Sequence, residues 1–113
     1  MLLCITVVLA YERLVRKLTH ENLWLYILTL LSKKPLYGYE IRRMVEKEFG
    51  FKPGQVTSYV VLYRLERGGL IKVVNEAKGS RGPARKYYTI TEKGVKTLGK
   101  AKKFLADLAV RIG

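Results

Sequence analysis

Hydrophobic and polar positions alternate along this chain in blocks whose period changes from helical to extended and back. The opening ten residues, MLLCITVVLA, are apolar, and the basic residues Arg13, Arg16 and Lys17 follow them. This predicts a helix over roughly residues 2–18, packed against its own domain or a second copy. The run is too short for a bilayer, which takes about 20 apolar residues. A signal peptide would carry its basic residues ahead of the apolar run, not behind it. Residues 20–32, HENLWLYILTLLS, are apolar on nearly every side and predict a central helix covered by neighbours on both faces. Thr19 is its expected N-cap, with Glu21 in the first turn. Pro35 ends it, because the residue before a proline avoids helical angles. Gly38 then permits a tight turn.

Residues 39–49 place Ile41, Met44, Val45 and Phe49 on one stripe, with Arg42, Arg43, Glu46 and Lys47 facing outward. Gly50 supplies a C-terminal stop. A further helix is predicted from about Gln55 to Arg67, between Pro53-Gly54 and Gly68-Gly69. LIKVVNEA (70–77) and ARKYYTIT (84–91) are rich in β-branched and aromatic residues and predict a hairpin about the basic, polar turn KGSRGP (78–83). Thr91 caps a last helix that runs from Glu92 to about Ile112. The fold class is therefore mainly α with a small β-hairpin: a winged helix-turn-helix with N- and C-terminal helices. The expected parts are an accessory apolar helix at 1–19, the winged helix-turn-helix at 20–91 and a dimerisation helix at 92–113.

Charge narrows the function. A length of 113 residues, 49% hydrophobic and 27% charged, suits one globular domain. Lys plus Arg number 22 against 9 Asp plus Glu, a net charge of +13. Self-repulsion of that size implies an anionic partner: nucleic acid, an anionic membrane surface or an acidic protein. Residues 78–113 hold ten basic and two acidic side chains, so this final third carries +8 of the total. One cysteine (Cys4) and one histidine (His20) exclude a disulfide framework and a cysteine zinc site. They also leave no plausible base–nucleophile pair, so neither enzyme, metal nor cofactor is expected. Cys4 sits in apolar company and reads as a buried, inert thiol. A single Gln and two Asn are a compositional hint of a thermophilic source.

On the helix 55–67, Ser58, Val61, Leu62 and Leu65 share the core side. The other side carries Val56, Thr57, Val60, Tyr63, Arg64 and Arg67, with Gln55 at its start. Arg64 suits bidentate pairing with guanine, and Val60 suits a thymine methyl. Thr57 and Ser58 lie where helix amides and the dipole attract phosphate. The same pattern also fits an ordinary amphipathic helix with a wet polar side. In the hairpin, Lys78, Arg81, Arg85 and Lys86, with Ser80 as a neutral donor, are expected to hold phosphates or enter the minor groove. The alternative is a solvated turn whose charge aids solubility. In the last helix Gly94, Leu98, Ala101, Leu105, Leu108 and Ile112 recur at spacings of 4, 3, 4, 3 and 4, an a/d seam. Such a seam fits a homodimer on a palindromic DNA site, with reading helices about 34 Å apart. It also fits packing on its own domain.

Three segments in order, LYGYEI (36–41), TSYVVLYRLERGGLI (57–71) and RKYYTITEKG (85–94), resemble the PadR family of transcription regulators over about residues 20–112. The resemblance implies a winged-helix dimer on operator DNA, often a repressor and often released by an effector. Tyr39 matches the family tyrosine after glycine, Tyr59 the tyrosine of the reading helix near the DNA backbone, Arg64-Leu65-Glu66 the R-L-E run, and Tyr87-Tyr88 the Y-Y of the return strand. Val56 and Val60 stand where the family commonly has glycine and proline. Trp24, Tyr26 and Phe104 are candidates for an effector pocket at a dimer interface, as in some relatives, or are simply core. The expectation is a homodimeric, sequence-specific regulator of double-stranded DNA, cytoplasmic and nucleoid-associated, with no membrane partner. The alternatives are a non-specific architectural DNA- or RNA-binding winged helix and a protein-interaction module.

Overall fold

The computed structural model describes residues 2–77 and 85–113, with side chains described for residues 8–74 and 85–113. In chain order the elements are α1 (Leu2–Leu18), a 3-10 turn (His20–Asn22), α2 (Leu23–Leu31), β1 (Leu36–Tyr37), α3 (Gly38–Phe49), α4 (Gln55–Arg67), β2 (Ile71–Ala77), β3 (Arg85–Ile90) and α5 (Glu92–Ile112). The strands form one antiparallel sheet in the order β1-β3-β2. Leu36 lies opposite Tyr88, and Ile71 opposite Ile90. This is a winged helix: α3 and α4 form the helix-turn-helix and the β2–β3 ribbon forms the wing.

The core gathers on α2. Leu23, Ile27, Leu28, Leu30 and Leu31 are buried against Ile41 and Val45 of α3, Leu62 and Leu65 of α4, Leu36, Ile71 and Leu98. Its other flank departs from the expectation of full cover, since Trp24, Leu25 and Tyr26 are only half-buried. Thr19 does not cap this helix: its hydroxyl donates backward to the Val15 carbonyl at 2.7 Å, and the 3-10 turn intervenes. The carbonyls freed at the end of α1 are met by side chains instead, with Asn22 Nδ2 donating to Lys17 and the Tyr26 hydroxyl to Leu18. Beyond that clamp α1 projects, with Val8, Leu9, Tyr11, Leu14, Val15 and Leu18 all exposed. The extents are accordingly 59 × 29 × 22 Å, and the radius of gyration is 16.6 Å. A compact chain of this length would have about 13 Å.

Two glycines have roles that the sequence pattern did not give them. Gly38 is no turn residue but opens α3, where a Cβ would stand 3.0 Å from the Tyr59 ring. Gly94 lies where α5 crosses the end of α4, and a Cβ there would stand 2.2 Å from the Leu70 carbonyl oxygen. Helix α4 ends in a Schellman turn: Gly69 takes φ +77°, Leu70 N–H reaches the Leu65 carbonyl and Gly69 N–H the Glu66 carbonyl. Thr91 caps α5 as expected, its hydroxyl oxygen accepting from Gly94 N–H at 3.1 Å. The same hydroxyl donates to the Gly69 carbonyl at 2.6 Å, Thr91 N–H to Leu70 at 3.0 Å and Lys93 Nζ to Gly68 at 2.9 Å. Leu98, expected in a dimer seam, is only 4% exposed and belongs to the core of its own domain. The periodicity is continuous, but the first half of the seam is consumed internally. Ala101 and Leu105 are half-buried, and Leu108 and Ile112 (81%) are exposed.

Candidate nucleic-acid interface

Helix α4 divides as its period requires. Leu62 and Leu65 are buried, while Gln55, Val56 (76%), Thr57, Tyr59, Val60, Tyr63 (62%), Arg64 and Arg67 are exposed. The Arg67 guanidinium lies 5.9 Å from the centre of the Tyr63 ring. Ser58 is a correction as a DNA contact. It is buried, its hydroxyl donates to the Gly54 carbonyl at 2.7 Å, and its N–H meets the same oxygen at 2.9 Å. It fastens the first turn from the core side. The amides of Gln55, Val56 and Thr57 precede the first intrahelical bond. Gly54 brings no capping side chain, and no acidic residue sits in the first turn. The positive end of the helix is therefore open to an anion.

A second groove, of about 480 Å³, joins this helix to the root of the wing. Tyr37, Gly38, Tyr39, Tyr59, Arg85, Lys86 and Tyr88 line it. Pairing of β1 with β3 sets Tyr37 against Tyr87, with ring centres 5.5 Å apart, and Tyr37 stacks on Tyr39 at 6.4 Å. The Arg85 guanidinium covers the Tyr37 ring at 4.9 Å, and Arg43 approaches the Tyr39 ring at 5.9 Å. Aromatic faces thus hold two cations at a groove edge, a geometry worth roughly 0.5–1 kcal/mol each at exposed sites. Burial raises the pKa of the Tyr88 hydroxyl above its ordinary value near 10, and the Glu66 carboxylate and Tyr59 add to this. Around the corner, Tyr39, Arg42, Arg43, Glu46, Lys52 and Pro53 border a smaller pocket of about 200 Å³. Across α4, Val56, Thr57, Val60 and Arg64 form one wall of a groove whose other wall is His20, Glu21 and Trp24.

The structure thus brings Tyr39, Tyr59, Arg85 and Lys86 to one groove and Val56, Thr57, Val60 and Arg64 to the next. Lys78, Ser80 and Arg81, expected at the wing tip, lie outside the described residues. Sequence reasoning missed Tyr37, Arg42, Arg43 and Lys52. The tyrosines flanking Gly38 were the available signal for the first and the outward face of Arg43 for the third; Arg42, expected to face outward, is half-buried with its Nε enclosed. The candidate effector residues Trp24, Tyr26 and Phe104 do come together, in a mainly apolar cleft of about 360 Å³ that Leu18, Asn22, Leu25, Ala101 and Leu105 complete. Burial raises the pKa of the Tyr26 hydroxyl there. Among the described residues no group of His, Cys, Asp and Glu is placed to hold a metal ion. No helix among them is long and apolar enough to cross a membrane.

A winged helix with an open α4 face beside a cationic, tyrosine-lined wing root belongs to the helix-turn-helix class. Within it the chain is a member of the PadR-like family of transcriptional regulators, whose family model matches residues 27–100. Among solved structures it is similar to a PadR family transcriptional regulator from Eggerthella lenta, with 25% identity over 96% of this chain and 94% of that one, at a TM-score of 0.79. A PadR family transcription regulator from Clostridium difficile is 33% identical over 79% of this chain and 95% of its own, with a TM-score of 0.67. PadR of Bacillus subtilis, solved in complex with operator DNA, is 29% identical over 69% of this chain but 45% of its own, with a TM-score of 0.64. No curated protein matches the chain.

Proposed function

We propose that the protein is a cytoplasmic, nucleoid-associated repressor that binds a pseudo-palindromic operator as a homodimer and works by binding, not catalysis. The observation that carries this reading is the continuity of the α4 outer face with the Tyr59–Arg85–Lys86 groove. Val56, Val60, Tyr63, Arg64 and Arg67 then face base edges in the major groove. The α4 amides, Tyr39, Tyr59, Arg85 and Lys86 hold phosphates on the flanking strand. Lys78, Ser80 and Arg81 extend the same grip at the wing tip. A net charge of +13 supplies the sequence-independent part of the affinity. Leu108 and Ile112, with Ala101 and Leu105 beside them, form the two-fold seam. The solved operator complex of the Bacillus subtilis relative supports DNA as the partner.

The test is selection of DNA fragments from a random pool by the purified protein, followed by competition between the selected site and unrelated DNA. Single mismatches in the site should each cost about 1–3 kcal/mol. Equal affinity for selected and unrelated duplexes would leave only an architectural, non-specific binder.

A further inference from the structure

Helix α1 is the largest feature that DNA binding leaves unused. We propose that α1 is an exchanged arm: in the dimer, its apolar stripe lies in the Trp24–Tyr26–Phe104 cleft of the second copy. The exchange rests on the dimer proposed above and adds which surface of each copy meets which.

On α1, Val8, Tyr11, Val15 and Leu18 recur at spacings of 3, 4 and 3, with Leu14 beside them, and every one of these side chains is exposed. Arg13, Arg16 and Lys17 occupy the opposite face. An isolated helix of this length is marginal in water, so an apolar stripe of this kind needs a partner surface. Its own domain does not provide one. The Asn22 and Tyr26 side chains hold the last carbonyls of α1, and Lys17 Nζ pairs with Glu21 at 2.9 Å. These bonds fix the direction in which the helix leaves, and the 3-10 turn is its principal neighbour.

The cleft at the foot of α1 is the matching surface. It lies between α2 and α5, is lined mainly by apolar atoms, and has the exposed Phe104 on its wall. The free part of α5 beyond it continues the apolar surface through Leu108 and Ile112. At 1.5 Å per residue α1 is about 25 Å long and α5 beyond Ala101 about 18 Å, so the two faces are comparable in reach. The exposed Tyr11, Val15 and Leu18 on α1 and Phe104, Leu108 and Ile112 on α5 give each copy two apolar faces for one interface, and a stable interface takes roughly 800 Å² from each partner. Leu18 ends the stripe and also lines its own cleft, so one two-fold operation places both arms at once.

The test uses Trp24, the only tryptophan, as a reporter in the cleft. Two forms of the full chain are made, both carrying Cys4→Ser. One keeps Trp24. The other carries Trp24→Phe and Glu12→Cys, labelled with dansyl at the edge of the α1 stripe. After subunit exchange, light scattering should report the mass of two chains. With the labelled copy in large excess, so that nearly every Trp24 chain is paired with it, Trp24 emission should fall by more than half with sensitised dansyl emission, and Leu14→Asp in the labelled copy should abolish the transfer. Dimers with unquenched Trp24 emission would overturn the exchange and leave the dimer standing. An apolar dye that fills the cleft of the intact dimer would overturn it too, making a small molecule the occupant. Single chains at every concentration would overturn both the exchange and the dimer.

Discussion

Adding one methyl group at Gly94 should unfasten the junction between α4, the wing and α5. A Cβ there meets the Leu70 carbonyl oxygen at 2.2 Å and the Ile90 side chain at 2.6 Å, whereas ordinary contact begins at 3.4 Å. The start of α5 must therefore withdraw by about 1 Å, and the obstacle is backbone that cannot rotate away. Three hydrogen bonds span that gap, from Thr91 N–H to Leu70, from the Thr91 hydroxyl to Gly69 and from Lys93 to Gly68. At about 1 kcal/mol each their loss costs roughly 3 kcal/mol. Alanine returns about 1 kcal/mol of helix propensity, leaving Gly94→Ala destabilised by about 2 kcal/mol. For a domain of this size that lowers Tm by about 10 °C. Gly99 is the internal control, since it lies in the same helix with nothing within 4 Å of a Cβ. Gly99→Ala should stabilise by about 0.5–1 kcal/mol. Urea titrations of both variants and the parent, at one protein concentration and followed by Trp24 fluorescence, measure the two effects. Should Gly94→Ala gain stability as Gly99→Ala does, the tight crossing of α5 over Leu70 is not a constraint and the packing argument fails.

Three further outcomes follow from the same geometry. Arg64→Ala should weaken operator binding by about 1–3 kcal/mol while barely changing affinity for unrelated DNA, and unchanged discrimination in competition titrations would remove Arg64 from base reading. Arg85→Ala should weaken binding to all duplexes alike and reduce the slope of log K against log salt by about one unit; an unaltered slope means that the Tyr37-supported guanidinium does not reach a phosphate. Tyr26 and Tyr88 both have hydroxyl pKa values raised in the fold, so the folded state holds protons that the unfolded chain has lost above its ordinary tyrosine pKa near 10. Stability should be flat through neutral pH, begin to fall near pH 10 and continue to fall as pH rises through the folded values. Tyr88→Phe should lessen that fall in thermal melts across pH 8–11, and an identical alkaline profile would assign the loss elsewhere.

Much of the fold was legible because the period of apolar residues is set by local geometry. The bounds of α4 and α5, the Thr91 cap and the exposed face of α4 could all be read from spacing and capping chemistry. What periodicity does not contain is which neighbour claims a stripe. Leu98 and Ile112 are equivalent in the heptad, yet the domain buries the first and leaves the second exposed. The two-residue β1 is too short to carry a pattern, so the stacking of Tyr37 between wing and α3 emerges only when Leu36 and Tyr37 pair with β3. Ser58 illustrates a different limit. Its hydroxyl serves a phosphate or the preceding turn equally well by composition, and burial decides for the Gly54 carbonyl. Gly38 and Gly94 were visible as glycines, but the reason for each lies in an atom distant in sequence.

The hydrogen bonds around Gly68–Leu70 and Thr91–Gly94 bind three functions into one node. Helix α4 ends there, the wing departs at Ile71 and returns at Ile90, and α5 begins there. A rotation of α5 must therefore carry α4 and the wing root with it or break the bonds that a Cβ at Gly94 would strain. Packed interiors move as units in this way and do not deform continuously. In a dimer joined through α5 and α1, a change at the seam would then leave each reading surface intact and alter the distance between the two. DNA with half-sites one turn apart, about 34 Å, is sensitive to that distance. Control of such a protein is thus expected to act on the spacing of two rigid half-clamps, with the contacts of Arg64 and Val60 to any single half-site unchanged.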